Sequence, residues 1–371
     1  MKFHCNSADF IEALSTATHA LPARTTIPAL ENVLVETDEN DNIVLTCSDQ
    51  SLTIITRLQA EIDEGGSVLL PGKLLAELSR KLPEGELNVS SSESGHIVFR
   101  CCGSRTQLAA KPANTYPRIE QINENEQDSS ITLPQSVLKD MILKTSFAIA
   151  TDEERPILTG CLLDVKDGEA RMVALDGFRM AVRMQRVGED AAVHAVIPGK
   201  ALQEIARILS DSDEDMITVA TFRNRMYTRI DNTEIYTILK EGEYINYRQI
   251  TPQSFRMKAD VESAEFSRCV ERASLMAREG KNNLVKLDVG DGRIVVTSNS
   301  EIGDIYEEIP AETDGENLKI AFNVKYLSDA LRALDGRRIQ MRFISGVNPC
   351  VIVPSEGDDF LHLILPVRMN A

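Results

Sequence analysis

Two short stretches of the sequence are nearly the same, although 127 residues separate them. They read "LLPGKLLAEL" at 69–78 and "VIPGKALQEI" at 196–205, and "AFNVKYLSDALRAL" at 321–334 keeps the same order of charges. In each copy an acid follows the lysine after four residues and an arginine after seven. These offsets lie on one face of an α-helix, so each copy predicts a base–acid–base stripe. The three stripes are Lys73, Glu77 and Arg80; Lys200, Glu204 and Arg207; and Lys325, Asp329 and Arg332.

The positions two, five and nine residues after each lysine are apolar, which predicts the buried face of an amphipathic helix. The proline of the first two copies fits the first turn of a helix, where its missing N–H costs nothing. The predicted buried positions are Leu75, Leu78 and Leu82; Leu202, Ile205 and Leu209; and Leu327, Ala330 and Leu334.

A second predicted helix recurs with the same period. Phe10, Leu138 and Phe266 each precede an apolar residue by four positions, namely Leu14, Ile142 and Val270. β-Branched runs around Asp-Asn or Asp-Gly lie between the two helices of each copy and predict hairpins. We therefore predict an α+β fold made of three tandem copies of one domain, with two helices backed by antiparallel sheets in each copy. Polar segments at 123–130 and 250–255 suggest domains at 1–125, 126–252 and 253–371.

The strands of such a domain need partners at their edges, because an open edge invites aggregation. Three similar domains could satisfy these edges by joining their sheets until the assembly closes, which would leave the helices on one face. The chain has a net charge of −17, yet the six predicted helices together are slightly basic. A basic lining in an acidic protein suits a polyanion held inside a hole. The alternative is that the Lys–Glu pairs only solvate the helices.

Several other classes of protein are disfavoured by the sequence. It shows no signal peptide and no apolar run long enough to span a membrane. The seven cysteines lack paired spacing, which predicts buried reduced thiols and a cytoplasmic protein. No metal-binding, phosphate-binding or nucleophile motif is present, so we expect no catalytic residue, no metal and no cofactor. An active site assembled in space is the enzyme alternative.

Over nearly its full length the chain resembles the bacterial sliding clamp, the beta subunit of the replicative DNA polymerase. The resemblance rests on "MKF" at the start, "RTTIPALENVLV" at 24–35, "LPGK" at 70–73, "VALDGFRMAV" at 173–182, "YINYRQITP" at 244–252, "FNVKYLSDAL" at 322–331 and "LILPVRM" at 363–369. It implies a head-to-tail homodimer that closes into a ring around duplex DNA and acts as a processivity factor. The implied partners are the replicative DNA polymerase, the clamp loader and repair proteins with linear clamp-binding peptides. No membrane is implied, and the protein would work in the cytoplasm on the nucleoid.

The resemblance also implies three sets of site residues. Arg24, Lys73, Lys200 and Lys325 match DNA-facing positions, and Arg80, Arg207 and Arg332 are added from the stripes. A ring seam would join Arg105, Thr106 and Leu108 of one chain to Leu275 and Met276 of another. A peptide pocket would be formed by Leu158, Leu175, Gly177, Phe178, Arg179, Met180, Ile245, Ile250, Val347, Pro349, Ile364, Leu365, Pro366, Val367 and Arg368.

The sequence departs from the family pattern at four places. Phe178 replaces a histidine found in many relatives, and the tail runs on through Met369 to Ala371, so either could reshape the pocket. Thr106 replaces a larger apolar residue of some relatives, which predicts a seam weaker by roughly 1–2 kcal/mol. The loop 150–158 carries Asp152, Pro156 and Ile157 where relatives place polar and aromatic residues, so DNA contact by this loop is not predicted.

Two simpler interpretations remain open when only the residues are considered. The segment "DGFRMA" can be read simply as a turn that leads into a strand. The whole protein can be read as a ring or scaffold that binds proteins and never DNA, in which case Lys73, Lys200 and Lys325 would face outward.

Overall fold

The computed structural model describes residues 1–118, 128–152, 154–189, 191–280 and 283–368. Part of the predicted boundary segment 123–130, residue 153 of the loop 150–158 and the tail from Met369 to Ala371 lie outside the described residues. The chain divides into two compact units. The first contains residues 1–134 and 207–239, and the second contains residues 135–206 and 240–371.

The first third of the chain runs strand, helix, strands, helix, strands. Its elements are β1 (Lys2–Asn6), α1 (Ser7–Thr18), β2 (Asn32–Thr37), β3 (Asn42–Ser48), β4 (Leu52–Gln59), β5 (Glu61–Glu64), β6 (Ser67–Pro71), α2 (Gly72–Ser79), β7 (Glu86–Ser91), β8 (His96–Cys101), β9 (Ser104–Ala109) and β10 (Lys111–Pro112).

The middle third repeats this order with fewer short strands. Its elements are β11 (Ser129–Pro134), α3 (Gln135–Leu143), β12 (Gly160–Lys166), β13 (Glu169–Leu175), β14 (Arg179–Arg186), β15 (Val193–Pro198), α4 (Gly199–Ile208), β16 (Met216–Phe222), β17 (Arg225–Ile230), β18 (Thr233–Ile238) and the short helix α5 (Tyr247–Ile250).

The last third repeats the order again. Its elements are β19 (Met257–Glu262), α6 (Ser263–Glu279), β20 (Leu284–Gly290), β21 (Arg293–Ser300), β22 (Gly303–Pro310), β23 (Glu312–Gly315), β24 (Leu318–Asn323), α7 (Val324–Arg332), β25 (Arg338–Phe343), β26 (Cys350–Pro354) and β27 (Phe360–Ile364). The predicted triplication is therefore confirmed.

The first helix of each third buries the predicted apolar pair: Phe10 with Leu14, Leu138 with Ile142 and Phe266 with Val270 are all buried. The predicted Asp-Gly hairpins are also confirmed. Residues 167–168 and 291–292 all have positive φ, as two-residue type I′ turns require.

The second helix of each third follows the prediction less evenly. All six predicted apolar residues of the second and third copies are buried. In the first copy only Leu75 is fully buried, and Leu78 and Leu82 are half-buried. Leu78 is in the last turn of α2, which ends at Ser79, and Leu82 lies beyond it.

The prediction for the two prolines was wrong. Pro71 and Pro198 are the last residues of β6 and β15, and glycine takes the first helical position instead. A Cβ on Gly72 would lie 2.7 Å from Leu21 Cδ1, and one on Gly199 would lie 2.8 Å from Ile149 Cδ1. The strand-to-helix corner leaves little room for a side chain, which favours glycine at both positions.

The first unit contains two antiparallel sheets. One has nine strands in the order β10-β6-β2-β3-β4-β18-β17-β16-β11, and the other has five in the order β5-β1-β7-β8-β9. In the nine-stranded sheet β4 pairs with β18, and Thr53 lies opposite Tyr236. Strands of the first and second repeats thus form one continuous sheet.

The second unit repeats this arrangement. Its nine-stranded sheet has the order β15-β12-β13-β14-β27-β26-β25-β19-β23, and a four-stranded sheet has the order β22-β21-β20-β24. Here β14 pairs with β27, with Arg179 opposite Ile364. A large core cluster, which includes Phe266, Phe322 and Phe343, fills the space between α6, α7 and these strands.

Six of the seven cysteines are buried and all seven are free, as predicted, but Cys102 is exposed. Among the described residues, no helix is long and apolar enough to cross a membrane, and no cluster of His, Cys, Asp or Glu has the arrangement of a metal site.

Candidate functional site

All seven basic residues predicted to face DNA have exposed side chains: Arg24, Lys73, Arg80, Lys200, Arg207, Lys325 and Arg332. The Lys73 ammonium donates a hydrogen bond to the Ala23 carbonyl at 3.1 Å, which ties the segment before Arg24 to the start of α2. Lys73, in the first turn of α2, and Arg24 therefore lie on neighbouring stretches of backbone, and both are exposed cations.

The acids of the three stripes differ in their exposure. Glu77 is exposed, Glu204 is buried, and Asp329 is half-buried between several cations. The Lys325 ammonium lies 2.9 Å from an Asp329 oxygen, and the Arg332 guanidinium lies 3.5 Å from the other. Part of the positive charge of the third stripe is thus neutralised within its own helix, which periodicity alone does not reveal.

The predicted pocket is organised around the turn between β13 and β14. One Asp176 carboxylate oxygen accepts hydrogen bonds from the Phe178 and Arg179 backbone N–H groups at 2.9 and 3.0 Å. Gly177 has a φ of 92°, a conformation that favours glycine. The turn leaves the Phe178 ring 58% exposed. The segment "DGFRMA" is therefore a turn into a strand, and it also presents an aromatic side chain to solvent.

Arg179 is buried beneath Phe178. Its guanidinium bonds to Asp176 at 2.9 Å and to Asp329 at 2.7 Å. The same group lies 4.7 Å from the centre of the Tyr326 ring, and Phe178 stacks on Tyr326 with 5.9 Å between ring centres. Burial raises the pKa of Asp329, but hydrogen bonds from Arg179 and Lys325 outweigh it and leave that pKa lowered.

The C-terminal segment lies along the same turn. Beyond the end of β27, the Leu365 N–H donates to the Phe178 carbonyl at 2.8 Å, and the Val367 N–H donates to the Ala321 carbonyl at 2.8 Å. Residues 364–367 are thereby fixed between β14 and β24. This backbone pairing places Ile364 opposite Arg179 and Leu365 beside Phe178, and it places Val367 beside Ala321.

The predicted pocket residues divide into a floor and an exposed rim. Leu158, Leu175 and Met180 belong to one buried cluster, and Ile364 and Arg179 are buried as well. Five large apolar side chains are exposed: Phe178, Ile245, Ile250, Val347 and Leu365. Gly177 and Arg368 are exposed, and Pro349, Pro366 and Val367 are half-buried. A surface that exposes apolar side chains beside a buried apolar cluster can contact aliphatic or aromatic anchors of an extended peptide.

The structure does not join every predicted pocket residue directly. Val347 and Pro349 lie in the connection between β25 and β26, and Ile245 and Ile250 flank or end α5. Among the described residues, no hydrogen bond links them to the turn at 176–179. Tyr326 and Phe147 were missed by sequence reasoning. Tyr326 could have been found from its position in the sequence, because it directly follows Lys325, the first residue of the third stripe.

The predicted seam residues lie on the outer strand β9 and on the helix α6, beside the outer strand β22. Arg105, Thr106 and Leu108 are on β9, the outer strand of the five-stranded sheet, and Leu275 and Met276 are on α6, which packs against β22. Leu275 is 57% exposed and Arg105 is exposed, whereas Leu108 is buried within its own chain. Ile302 and Tyr306, beside or on β22, are 73% and 63% exposed and were not predicted.

Three consecutive α+β repeats that share continuous antiparallel sheets define the class of three-domain clamp proteins. Models of the N-terminal, central and C-terminal domains of the DNA polymerase III beta subunit match residues 1–120, 132–246 and 248–368. The chain belongs to this family, the bacterial beta sliding clamps.

Individual relatives agree with this assignment. The chain is 35% identical to the beta sliding clamp of Staphylococcus epidermidis and 34% identical to that of Staphylococcus aureus, and each match covers 99% of both chains. The crystal structure of the Bacillus subtilis clamp is 32% identical, with a TM-score of 0.94 over 100% of both chains. A DNA polymerase III beta subunit from Eubacterium rectale is 30% identical, with a TM-score of 0.93.

Proposed function

We propose that the protein is a DNA polymerase processivity factor, a homodimeric ring that encircles duplex DNA and carries the polymerase along it. The observation that carries this proposal is the threefold base–acid–base stripe, whose basic side chains are all exposed in a chain of net charge −17. Cations in three matched places suit the repeating phosphates of a duplex, whereas the acidic remainder repels DNA elsewhere. No residue is assigned a catalytic role, and no cofactor is required.

The sheets support closure into a dimer. Each unit has one nine-stranded sheet in which the fourth strand of one repeat pairs with the last strand of the following repeat, as β4 does with β18 and β14 with β27. The matching strands left without this pairing are β22 and β9, the outer strands of the four- and five-stranded sheets. Pairing β22 of one copy with β9 of another would make nine strands again, and it would also cover Ile302 and Tyr306.

The surface around Phe178 is the proposed docking site for linear peptides of the polymerase, the clamp loader and repair proteins. Its exposed apolar rim over a packed floor supports this role. We also propose domain boundaries at 1–125, 126–252 and 253–371; the matched family segments end and begin within about six residues of them, and the third segment begins at residue 248. Because its proposed partner is DNA, we propose that the protein works in the cytoplasm at the nucleoid.

The test of topological binding is release after linearisation. The protein would be loaded on a nicked plasmid by its clamp loader and ATP, washed in high salt, and then exposed to a restriction enzyme. We expect the protein to leave only after the cut, because a ring can slide off an end. Retention on the linear product would mean that affinity holds the protein, and the proposal would fail.

The test of the stripes is charge reversal. The triple variant Lys73→Glu, Lys200→Glu and Lys325→Glu should reduce the processivity of DNA synthesis. The matched control is Lys166→Glu, Lys258→Glu and Lys286→Glu, which changes the net charge equally through exposed lysines on strands. We expect the control to keep processivity near wild type. Equal processivity of the two triple variants would favour a protein-binding scaffold that does not touch DNA.

A further inference from the structure

An aspartate on a strand of the second unit is bonded to the short helix α5. Asp164 lies on β12 and is half-buried. One of its carboxylate oxygens accepts hydrogen bonds from the Tyr247 hydroxyl at 2.9 Å and from the Arg248 guanidinium at 3.2 Å. Its other oxygen lies 3.2 Å from His194 Nδ1. Because Tyr247 and Arg248 are the first two residues of α5, one side chain ties this helix to β12.

The helix α5 carries part of the predicted pocket. Ile245 is 36% exposed and Ile250 is 43% exposed, and they lie before and after the buried Tyr247. The Tyr247 ring belongs to the buried cluster that forms the floor of the predicted pocket. A helix of a single turn has little stability of its own, so its position depends on the contacts that anchor it. The anchors of α5 are the packed Tyr247 ring and the carboxylate of Asp164.

The other two repeats have an acid at the same place and use it differently. Glu36 on β2 is 128 residues before Asp164, and Asp288 on β20 is 124 residues after it. In each repeat this strand pairs with the strand that leads into the second helix. Asp288 pairs with Lys319 at 3.2 Å. Of the three acids, Asp164 alone is bonded to a tyrosine in the part of the chain that the structure describes. The acid is thus common to the repeats, and its bond to α5 is specific to the second.

The surroundings of Asp164 keep it ionised. Burial raises the pKa of its carboxyl group, but hydrogen bonds from His194 and Tyr247 and the charge of Arg248 outweigh burial and leave that pKa lowered. Hydrogen bonds to an ionised acceptor are stronger than those between neutral groups. The bond between β12 and α5 is therefore a strong one for a contact made by a single side chain.

We propose that Asp164 is a positioning residue for the peptide-docking surface around Phe178, because it fixes α5 and so holds Ile245 and Ile250 beside the buried floor. This role rests on the proposed function, which assigns linear peptides to that surface. The Asp164 side chain is only 15% exposed, so it acts through α5 rather than by contact with the peptide. Side chains that are already held in place lose less freedom when a peptide binds.

The test measures the affinity of the full-length protein for the replicative DNA polymerase by surface plasmon resonance, without DNA. Asp164→Ala should weaken binding about three- to tenfold, the effect of one or two lost hydrogen bonds. Glu36→Ala is the matched control, because it removes the equivalent acid from the first unit, and it should bind as the wild type does. Asp164→Asn keeps an acceptor oxygen for the Tyr247 hydroxyl and should recover most of the affinity. Wild-type affinity of Asp164→Ala would overturn the proposal.

Two further measurements separate positioning from a general loss of folding. The methyl resonances of Ile245 and Ile250, followed by NMR in the free protein, should shift in Asp164→Ala and stay in place in Glu36→Ala. Tyr247→Phe removes only the hydroxyl and should also weaken binding. The double variant of Asp164→Ala and Tyr247→Phe should bind no more weakly than Asp164→Ala alone, because both changes break the same bond. Losses that multiply in the double variant would show that Asp164 does not act through Tyr247, and the proposal would then be wrong.

Phe178→Ala distinguishes failure of this proposal from failure of the proposed function. The variant removes the exposed ring of the docking surface itself, and we expect it to weaken polymerase binding. If Phe178→Ala binds the polymerase as the wild type does, the docking surface is wrongly assigned and the role of Asp164 falls with it. If Phe178→Ala binds weakly and Asp164→Ala binds normally, the docking surface stands and only the role of Asp164 is wrong.

Discussion

At the scale of single residues, the guanidinium of Arg179 connects the proposed peptide surface to the third stripe. It lies between two carboxylates, Asp176 and Asp329, and against the rings of Tyr326 and Phe147. Arg179 is only 7% exposed. The arrangement is therefore costly to disturb, because removal of the cation from a buried ion pair leaves a carboxylate without that partner.

We predict that Arg179→Met lowers the free energy of unfolding by about 3–5 kcal/mol. Methionine retains the length of the side chain and removes its charge, so Asp176 loses its cationic partner and Asp329 keeps only Lys325 and Arg332. The measurement is urea unfolding followed by circular dichroism. Arg186→Met is the control, because Arg186 is exposed at the other end of β14. Equal unfolding midpoints of the two variants would contradict the prediction.

The burial of His362 predicts how the free energy of unfolding depends on pH. The ring is buried between Phe147 and Phe360, and neither ring nitrogen has a hydrogen-bond partner among the described residues. Burial lowers the pKa of His362 to about 4, from an ordinary value of 6.5. The unfolded chain therefore takes up this proton first as the pH falls. The contribution to stability is complete above about pH 6.5 and is lost as the pH falls towards 4.

The loss should amount to roughly 3 kcal/mol across that window. Urea unfolding at pH values from 7.5 to 4 measures it. His362→Leu should remove this part of the pH dependence. His194→Gln should leave it intact, because His194 is largely exposed on β15. A pH profile of His362→Leu that parallels the wild type would show that another group causes the acid sensitivity.

At the scale of secondary-structure elements, the corners where β6 meets α2 and β15 meets α4 are built in the same way. In both, a proline ends the strand and a glycine begins the helix. A Cβ at Gly72 would also lie 3.0 Å from the Glu31 carbonyl oxygen, and one at Gly199 would lie 3.2 Å from the Thr159 carbonyl oxygen. Glu31 and Thr159 each end a 3₁₀ turn, at Pro28–Glu31 and Pro156–Thr159. The backbone of one such turn is thus packed directly against the start of each helix.

We predict that Gly72→Ala and Gly199→Ala each lower the free energy of unfolding by about 1–3 kcal/mol, because the added methyl group overpacks the corner. Gly188→Ala is the matched control, since a Cβ there meets no atom within 4 Å. Unfolding midpoints in urea would compare the three variants. Wild-type stability of both corner variants would show that the corners relax without cost.

At the scale of the whole molecule, the seam proposed between β9 and β22 rests on two open sheet edges. Thr106 is half-buried on β9, and its partner surface would include the exposed Leu275. Leu108, which was predicted at the seam, is buried within its own chain and has little surface left for a partner. The apolar contact at this seam therefore depends on few side chains.

We predict that Thr106→Leu tightens the dimer by about 1–2 kcal/mol, or about five- to thirtyfold in the dissociation constant, because it adds apolar area to the seam. Sedimentation at a series of protein concentrations measures the constant. Thr132→Leu is the control, because Thr132 is exposed on β11, an outer strand that is not part of the proposed seam. A dissociation constant that Thr106→Leu leaves unchanged would argue against the proposed seam.

The family and the triplicated architecture could be predicted from the sequence, because both depend on periodicity and local motifs. The helices that bury Phe10, Leu138 and Phe266, and the exposure of the six cations of the stripes, followed from residue spacing along a helix, whereas Arg24 was predicted from the resemblance. The position of the two prolines could not be predicted, because a proline before a helix and one in its first turn satisfy the same local preference.

The contacts of the candidate sites were decided by the tertiary structure alone. Arg179 meets Asp329 across 150 residues of sequence, and Phe178 stacks on Tyr326 only because the chain returns to the same place. The hollow that Leu30, Tyr116 and Arg225 line is likewise formed by segments that lie far apart in the chain. By itself the sequence determined which surfaces repeat, since local pattern specifies helices and strands. Which side chains meet on those surfaces is a matter of long-range packing, and that depends on the folded chain.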